Sequence, residues 1–151
     1  MTWMGIDIGS RRFGVAVSDA KGIFAQPFTT LSAGKGGALP VDQLAELVAE
    51  KNITGIVVGL PQRMDGTHGP EAEAAEALAE QIRGVLGLRV ELWDERLTSV
   101  QADRVLVAAG VRRKKRKAVT DRIAAALILQ SFLDRQASES EVALELETRG
   151  G

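Results

Sequence analysis

Trp3-Met4-Gly5-Ile6-Asp7-Ile8-Gly9, a turn at Ser10-Arg11-Arg12, and then Phe13-Gly14-Val15-Ala16-Val17-Ser18-Asp19 open the chain, and their reading decides the fold. Both halves are short, largely apolar and bounded by Gly and polar residues, the pattern of two hairpin strands in a buried sheet. Asp7 interrupts the first of them. A carboxylate inside an apolar strand costs several kcal/mol unless it is paired, hydrogen-bonded or bound to a cation. Gly5 and Gly9 flank it, removing side chains and letting backbone, metal or phosphate come close. Asp7 is therefore the first candidate for chemistry.

Outward from this hairpin, Lys21-Gly22 makes a second tight turn and Ile23 to Leu31 reads as a third strand. Pro27 suits an edge position there. Three consecutive strands joined by tight turns must run antiparallel. After a glycine-rich loop at Gly34 to Gly37, a helix from about Pro40 to Lys51 carries Leu44, Leu47 and Val48 on one face. Ile53 to Leu60 is a continuous β-rich run, the signature of a central strand covered on both faces. It opens into a long polar loop, Pro61 to Pro70, at the strand end where α/β sheets place ligand sites.

A helix from about Pro70 to Leu86 precedes an alternating fifth strand, Leu88 to Trp93, which leads into Asp94-Glu95-Arg96-Leu97-Thr98-Ser99. Thr98 or Ser99 can cap a short helix ending at Gly110. An unbroken basic run, Arg112-Arg113-Lys114-Lys115-Arg116-Lys117, comes before a last helix expected over Ala118 to Gln136. The expected architecture is α/β: a mixed five-stranded sheet, three antiparallel strands then two parallel, with helices on both faces. Residues 1–137 form one domain on this reading, and 138–151 a flexible acidic tail.

Composition narrows the chemistry. The chain has 151 residues, no Cys and one His, His68. Disulfides, thiolate metal sites and a Cys nucleophile are excluded, and a His-rich zinc site is disfavoured. No apolar run is long enough for a membrane span, and the N-terminus runs straight into a strand, so a cytoplasmic protein is expected. The four Glu and one Arg from Ser138 onward leave the body slightly basic, in keeping with nucleic-acid contact.

Gly5-Ile6-Asp7-Ile8-Gly9 with Gly14-Val15-Ala16-Val17-Ser18-Asp19 looks like the first hairpin of the ribonuclease H-like superfamily. Adding Gly59-Leu60-Pro61, Asp94-Glu95-Arg96-Leu97-Thr98-Ser99 and Asp121-Arg122-Ile123-Ala124-Ala125, residues 3–136 resemble the YqgF/RuvX family of Holliday junction resolvases and pre-16S rRNA nucleases. The resemblance implies a ribonuclease H-like fold, a nuclease acting on branched DNA or precursor rRNA, and Asp7, Glu95 and Asp121 as its acids. It carries four motifs in the right order, and any one alone would be weak.

The residues support the same chemistry. Two divalent cations roughly 4 Å apart can activate water and stabilise a phosphodiester's developing charge, and carboxylates suffice to hold them. Oxygen-only ligands suit Mg²⁺ or Mn²⁺. Asp121 shares a helical face with Ala125, Ile128 and Phe132, so a helix packed on the sheet could bring it over Asp7. Asp94 and Glu95 point in opposite directions if the strand continues; geometry leaves the choice open and the resemblance implies Glu95. Arg112 through Lys117 offers a phosphate-binding stretch, with Arg11, Arg12 and Arg96 as further contacts. A symmetric four-way junction calls for a homodimer.

Other classes fit less well. The Asp-x-Gly hairpin also resembles the first phosphate loop of actin-like and sugar-kinase ATPases, which need a second copy of the fold. Gly34 to Gly37 lacks a P-loop ending, and Gly5 to Gly9 lacks Rossmann spacing. A non-catalytic nucleic-acid-binding or ribosome-assembly module on the same fold is the alternative, disfavoured by retention of all three acids.

Overall fold

The opening run forms strand β1, Trp3–Ile8, and turns back as β2, Arg12–Ser18. The other elements are β3 (Ala25–Ser32), α1 (Val41–Glu50), β4 (Gly55–Leu60), α2 (Pro70–Leu86), β5 (Arg89–Asp94) and α3 (Arg113–Gly150). The structure is a computed structural model that describes residues 1–9, 11–60, 69–94 and 113–150, with only the backbone given for 113–120, 145 and 147–150. The expected helix from Thr98 or Ser99 to Gly110 and most of the Pro61 to Pro70 loop lie outside the described residues.

The sheet order is β3-β2-β1-β4-β5. β1 and β2 pair antiparallel, as do β2 and β3, while β4 runs parallel to β1 and β5 parallel to β4. This is the expected mixed sheet. β3 is an edge, so Pro27, which cannot donate to a ladder, stands where no inner partner needs its N–H. A register shift between Val15 and Ala16 accommodates it opposite Ala16.

Alternation along β1 sorts its residues between two cores. Met4 and Ile6 join Phe13, Val15, Ile56 and Val58 on the face covered by α1 and α2, through Leu44, Ala75, Leu78 and Ile82. Trp3 joins Ala16 and Val57 on the opposite face, under Ala125, Ile128, Leu129 and Phe132 of α3. β4 feeds both cores, Ile56 and Val58 one way and Val57 the other, which is why its sequence shows no polar alternation.

α3 reaches the sheet closely because glycines lie beneath it. A Cβ on Gly5 would stand 2.8 Å from both the Ala125 carbonyl oxygen and the Leu129 Cβ. Gln130 fastens the same helix to the edge hairpin: its Oε1 accepts from the Ala25 N–H at 2.8 Å and its Nε2 donates to the Ile23 carbonyl at 2.9 Å. Asp19 closes the β2–β3 turn by accepting the Ile23 N–H at 2.7 Å, and that backbone donor, the largest cause, holds its carboxyl below the usual value of 3.8.

Two boundaries differ from the expectation. α3 begins at Arg113, so the basic run expected to precede the helix is helical from its second residue. Lys and Arg are good helix formers, so the helix takes in most of the run. At the other end the helix continues past Gln136 to Gly150. Burial stops near Leu133, and residues 137–144 and 146 are exposed. Ala, Glu and Leu keep the backbone helical beyond the buried stripe, with Arg135 and Glu139 paired at 3.1 Å.

Candidate active site

Asp7 lies one residue short of the end of β1, on the face that α3 covers, in phase with Trp3 and Gly5. It is 6% exposed. Its cross-strand neighbour is Gly14 on β2. Above Gly14 stands Asp121: its main-chain oxygen is 2.0 Å from where a Gly14 Cβ would lie. Asp121, Ala125 and Leu129 sit at successive four-residue steps, so one ridge of α3 runs over Gly14 and Gly5. That ridge sets Asp121 over Gly14, the cross-strand neighbour of Asp7.

The hairpin loop completes this corner. The Gly9 N–H donates to the Arg12 carbonyl at 2.9 Å, drawing the loop tight. A Cβ on Gly9 would lie 3.8 Å from Asp121 Oδ1, so the carboxylate reaches back over the loop. Arg12 opens β2 on the same face, and its Nε forms an ion pair with Asp121 Oδ2 at 3.1 Å. Arg12 is thus paired with a carboxylate, where the sequence suggested a phosphate contact. Arg11, one residue earlier in the turn, is exposed.

Ile6 stands in a row with Val58 and Leu92. Asp7 therefore lies at the carboxyl edge of three parallel strands, where β4 and β5 also end. Asp94 closes β5 in phase with Val90 and Leu92, whose core is on the α1–α2 side. Trp93 is on the α3 side, donating from Nε1 to Ser131 Oγ at 3.1 Å. Glu95, Arg96, Arg112 and His68 lie outside the described residues, and Arg113, Lys114, Lys115, Arg116 and Lys117 contribute only their helical backbone.

Among the described residues no three potential ligands of the His, Cys, Asp and Glu types come together. Asp7 and Asp121 are both carboxylates on the α3 side of the hairpin, and two glycines keep side chains away from the space between hairpin and helix. All-oxygen donors of this kind fit a hard divalent cation. The part of the site that sequence reading missed is Gly14. Its signal was a glycine inside an otherwise apolar strand, which marks a close backbone approach.

A family model described as "RuvX: Holliday junction resolvase" matches residues 1–135. A Bacillus cereus (strain B4264) protein named as a candidate pre-16S rRNA nuclease is 47% identical over 137 residues, covering 90% of this chain and 100% of its own. One from Bacillus mycoides (strain KBAB4), named alike, is 47% identical over 135 residues, covering 89% and 98%. Among solved structures, Thermus thermophilus RuvC in complex with a Holliday junction substrate superposes with a TM-score of 0.54 at 16% identity, covering 91% of this chain and 96% of that one. The fowlpox virus Holliday junction resolvase gives 0.53 at 10% identity, covering 90% and 99%. The two structures establish the ribonuclease H-like fold, while the matched family and the near-full-length relatives establish kinship: the chain belongs to the RuvX family of nucleases.

Proposed function

We propose that the protein is a divalent-metal-dependent endonuclease that cuts the backbone of structured nucleic acid, with precursor 16S rRNA as its substrate and four-way DNA junctions as the competing one. The observation that carries this reading is the buried Asp7 carboxylate at the carboxyl edge of the sheet, with Asp121 standing over its cross-strand neighbour Gly14. Asp7, Asp121 and Glu95 would hold Mg²⁺ or Mn²⁺, which supply an activated water and neutralise charge on the scissile phosphate. Asp94, in phase with the opposite core, favours Glu95 as the strand-end acid.

The chain's own groups divide the remaining work. Asp7 is fixed by β1 and its burial, so its carboxylate keeps its place without ordering cost on substrate binding. Gly9 and Gly14 let the hairpin loop and α3 close up around that carboxylate. Arg11, Arg96 and the run from Arg112 to Lys117, at the start of α3, contact backbone phosphates. Phosphate contacts position the duplex without reading its sequence. Homodimerisation and a cytoplasmic location belong to the same reading; among the described residues no helix is long and apolar enough to cross a membrane.

Precursor 16S rRNA is favoured because relatives at 47% identity along their full length carry that name. Purified protein is tested on precursor rRNA, a four-way DNA junction and linear duplex DNA, each with Mg²⁺ and with Mn²⁺. Preferred cleavage of the precursor near its 5′ end supports the proposal. Preferred cutting of the junction reassigns the substrate, and no cleavage of any of them refutes the nuclease reading.

A further inference from the structure

The ion pair between Arg12 and Asp121 is not needed to build the fold. Their side chains are 30% and 16% exposed, and ion pairs in contact with solvent contribute little to stability. The hairpin loop is closed by a main-chain bond, from the Gly9 N–H to the Arg12 carbonyl. The Arg12 side chain is therefore held to Asp121 by charge, on an acid that the proposed function uses as a metal ligand.

We infer that Arg12 is a positioning residue that acts as a tethered counter-cation, holding Asp121 Oδ2 in the free protein and opposing a divalent ion there until a backbone phosphate draws the guanidinium away. This rests on the metal-site reading given above. The guanidinium and a divalent cation are like charges contending for one carboxylate oxygen, so each weakens the other's hold. A phosphate offers the planar guanidinium fork two acceptors in matching geometry. When Arg12 changes partner, Asp121 passes to the metal, and nucleic-acid and metal binding become coupled. By linkage, each must then favour the other equally. Metal loading would thus be strongest where a substrate backbone is already in place.

Mn²⁺ binding to the full chain without nucleic acid, followed by isothermal titration calorimetry, tests this. Arg12→Gln should bind Mn²⁺ about fivefold or more tightly than the unaltered protein, the effect of removing one unit charge a few ångströms away. Arg12→Lys keeps the charge and loses the fork, so it should return to within about twofold of the unaltered protein. A residue that mattered only for structure would not be rescued by charge. Equal or weaker binding by Arg12→Gln, with Arg12→Ala in its place should it not be recovered folded, overturns the inference. Asp7→Asn separates the two levels. Weakened Mn²⁺ binding there with no gain in Arg12→Gln refutes the Arg12 role alone. Undiminished binding in Asp7→Asn refutes the metal site and this inference with it.

Discussion

The main-chain oxygen of Asp121 stands 2.0 Å from the position a Cβ on Gly14 would take, and Gly14 is the cross-strand partner of Asp7. One missing side chain thus lets a helix some hundred residues later in the chain set its main chain on the opening hairpin. The chemistry proposed for the corner depends on that approach.

Gly14→Ala should consequently damage both stability and activity. The methyl group meets backbone, which cannot rotate away, so the helix must lift from the sheet. Overpacking of this kind costs about 1–3 kcal/mol. Urea unfolding monitored through Trp3 and Trp93 fluorescence checks the stability, and cleavage assays on the remaining folded protein check the site. A change below about 0.5 kcal/mol, as for surface substitutions, would mean that α3 is not seated as described.

Much of this was legible in the sequence because alternation and apolar runs report burial directly. Asp7 declared itself as a charge in an apolar strand, and Asp121 by sharing a helical stripe with Ala125 and Ile128. The order of strands followed from tight turns and the family resemblance together. The Arg12–Asp121 pair was not legible, since an arginine beside a phosphate path and one beside a carboxylate have the same sequence signature. The length of α3 was not legible either. Burial periodicity ends near Leu133, while helix propensity continues to Gly150 without a breaker.

Replacing Arg113, Lys114 and Arg116 with Ala should weaken nucleic-acid binding and flatten its salt dependence. Each phosphate contact contributes about 0.9 to the magnitude of the log–log salt slope on duplex DNA. The loss should be similar on specific and random sequences, because phosphates carry no base information. Fluorescence anisotropy titrations across a range of salt provide the slope. An unchanged slope would remove this segment from the substrate path and leave Arg11 and Arg96 to be tested.

The β2–β3 turn should loosen in acid. The Ile23 N–H, with smaller help from Phe24 and Gly22, favours the ionised form of Asp19 and lowers its carboxyl in the folded protein. Its contribution is therefore complete above the ordinary value of 3.8 and is lost as pH falls through the depressed folded value. The protection of the Ile23 and Phe24 amides from exchange, relative to their intrinsic rates at each pH, should fall over that acid window. Asp19→Asn should remove the pH dependence of this turn, and protection that stays equally pH-dependent in that variant would locate the titrating group elsewhere.

The central claim is that the buried Asp7 carboxylate is indispensable for phosphodiester hydrolysis, and Asp7→Asn tests it most directly. The substitution keeps the side-chain shape and removes the charge. Cleavage of precursor 16S rRNA and of a four-way DNA junction is measured with Mg²⁺ and Mn²⁺, beside circular dichroism and anisotropy on the same preparation. The account predicts an intact fold, nucleic-acid binding largely preserved, and cleavage lost with both metals. Full cleavage by a folded Asp7→Asn protein would contradict it.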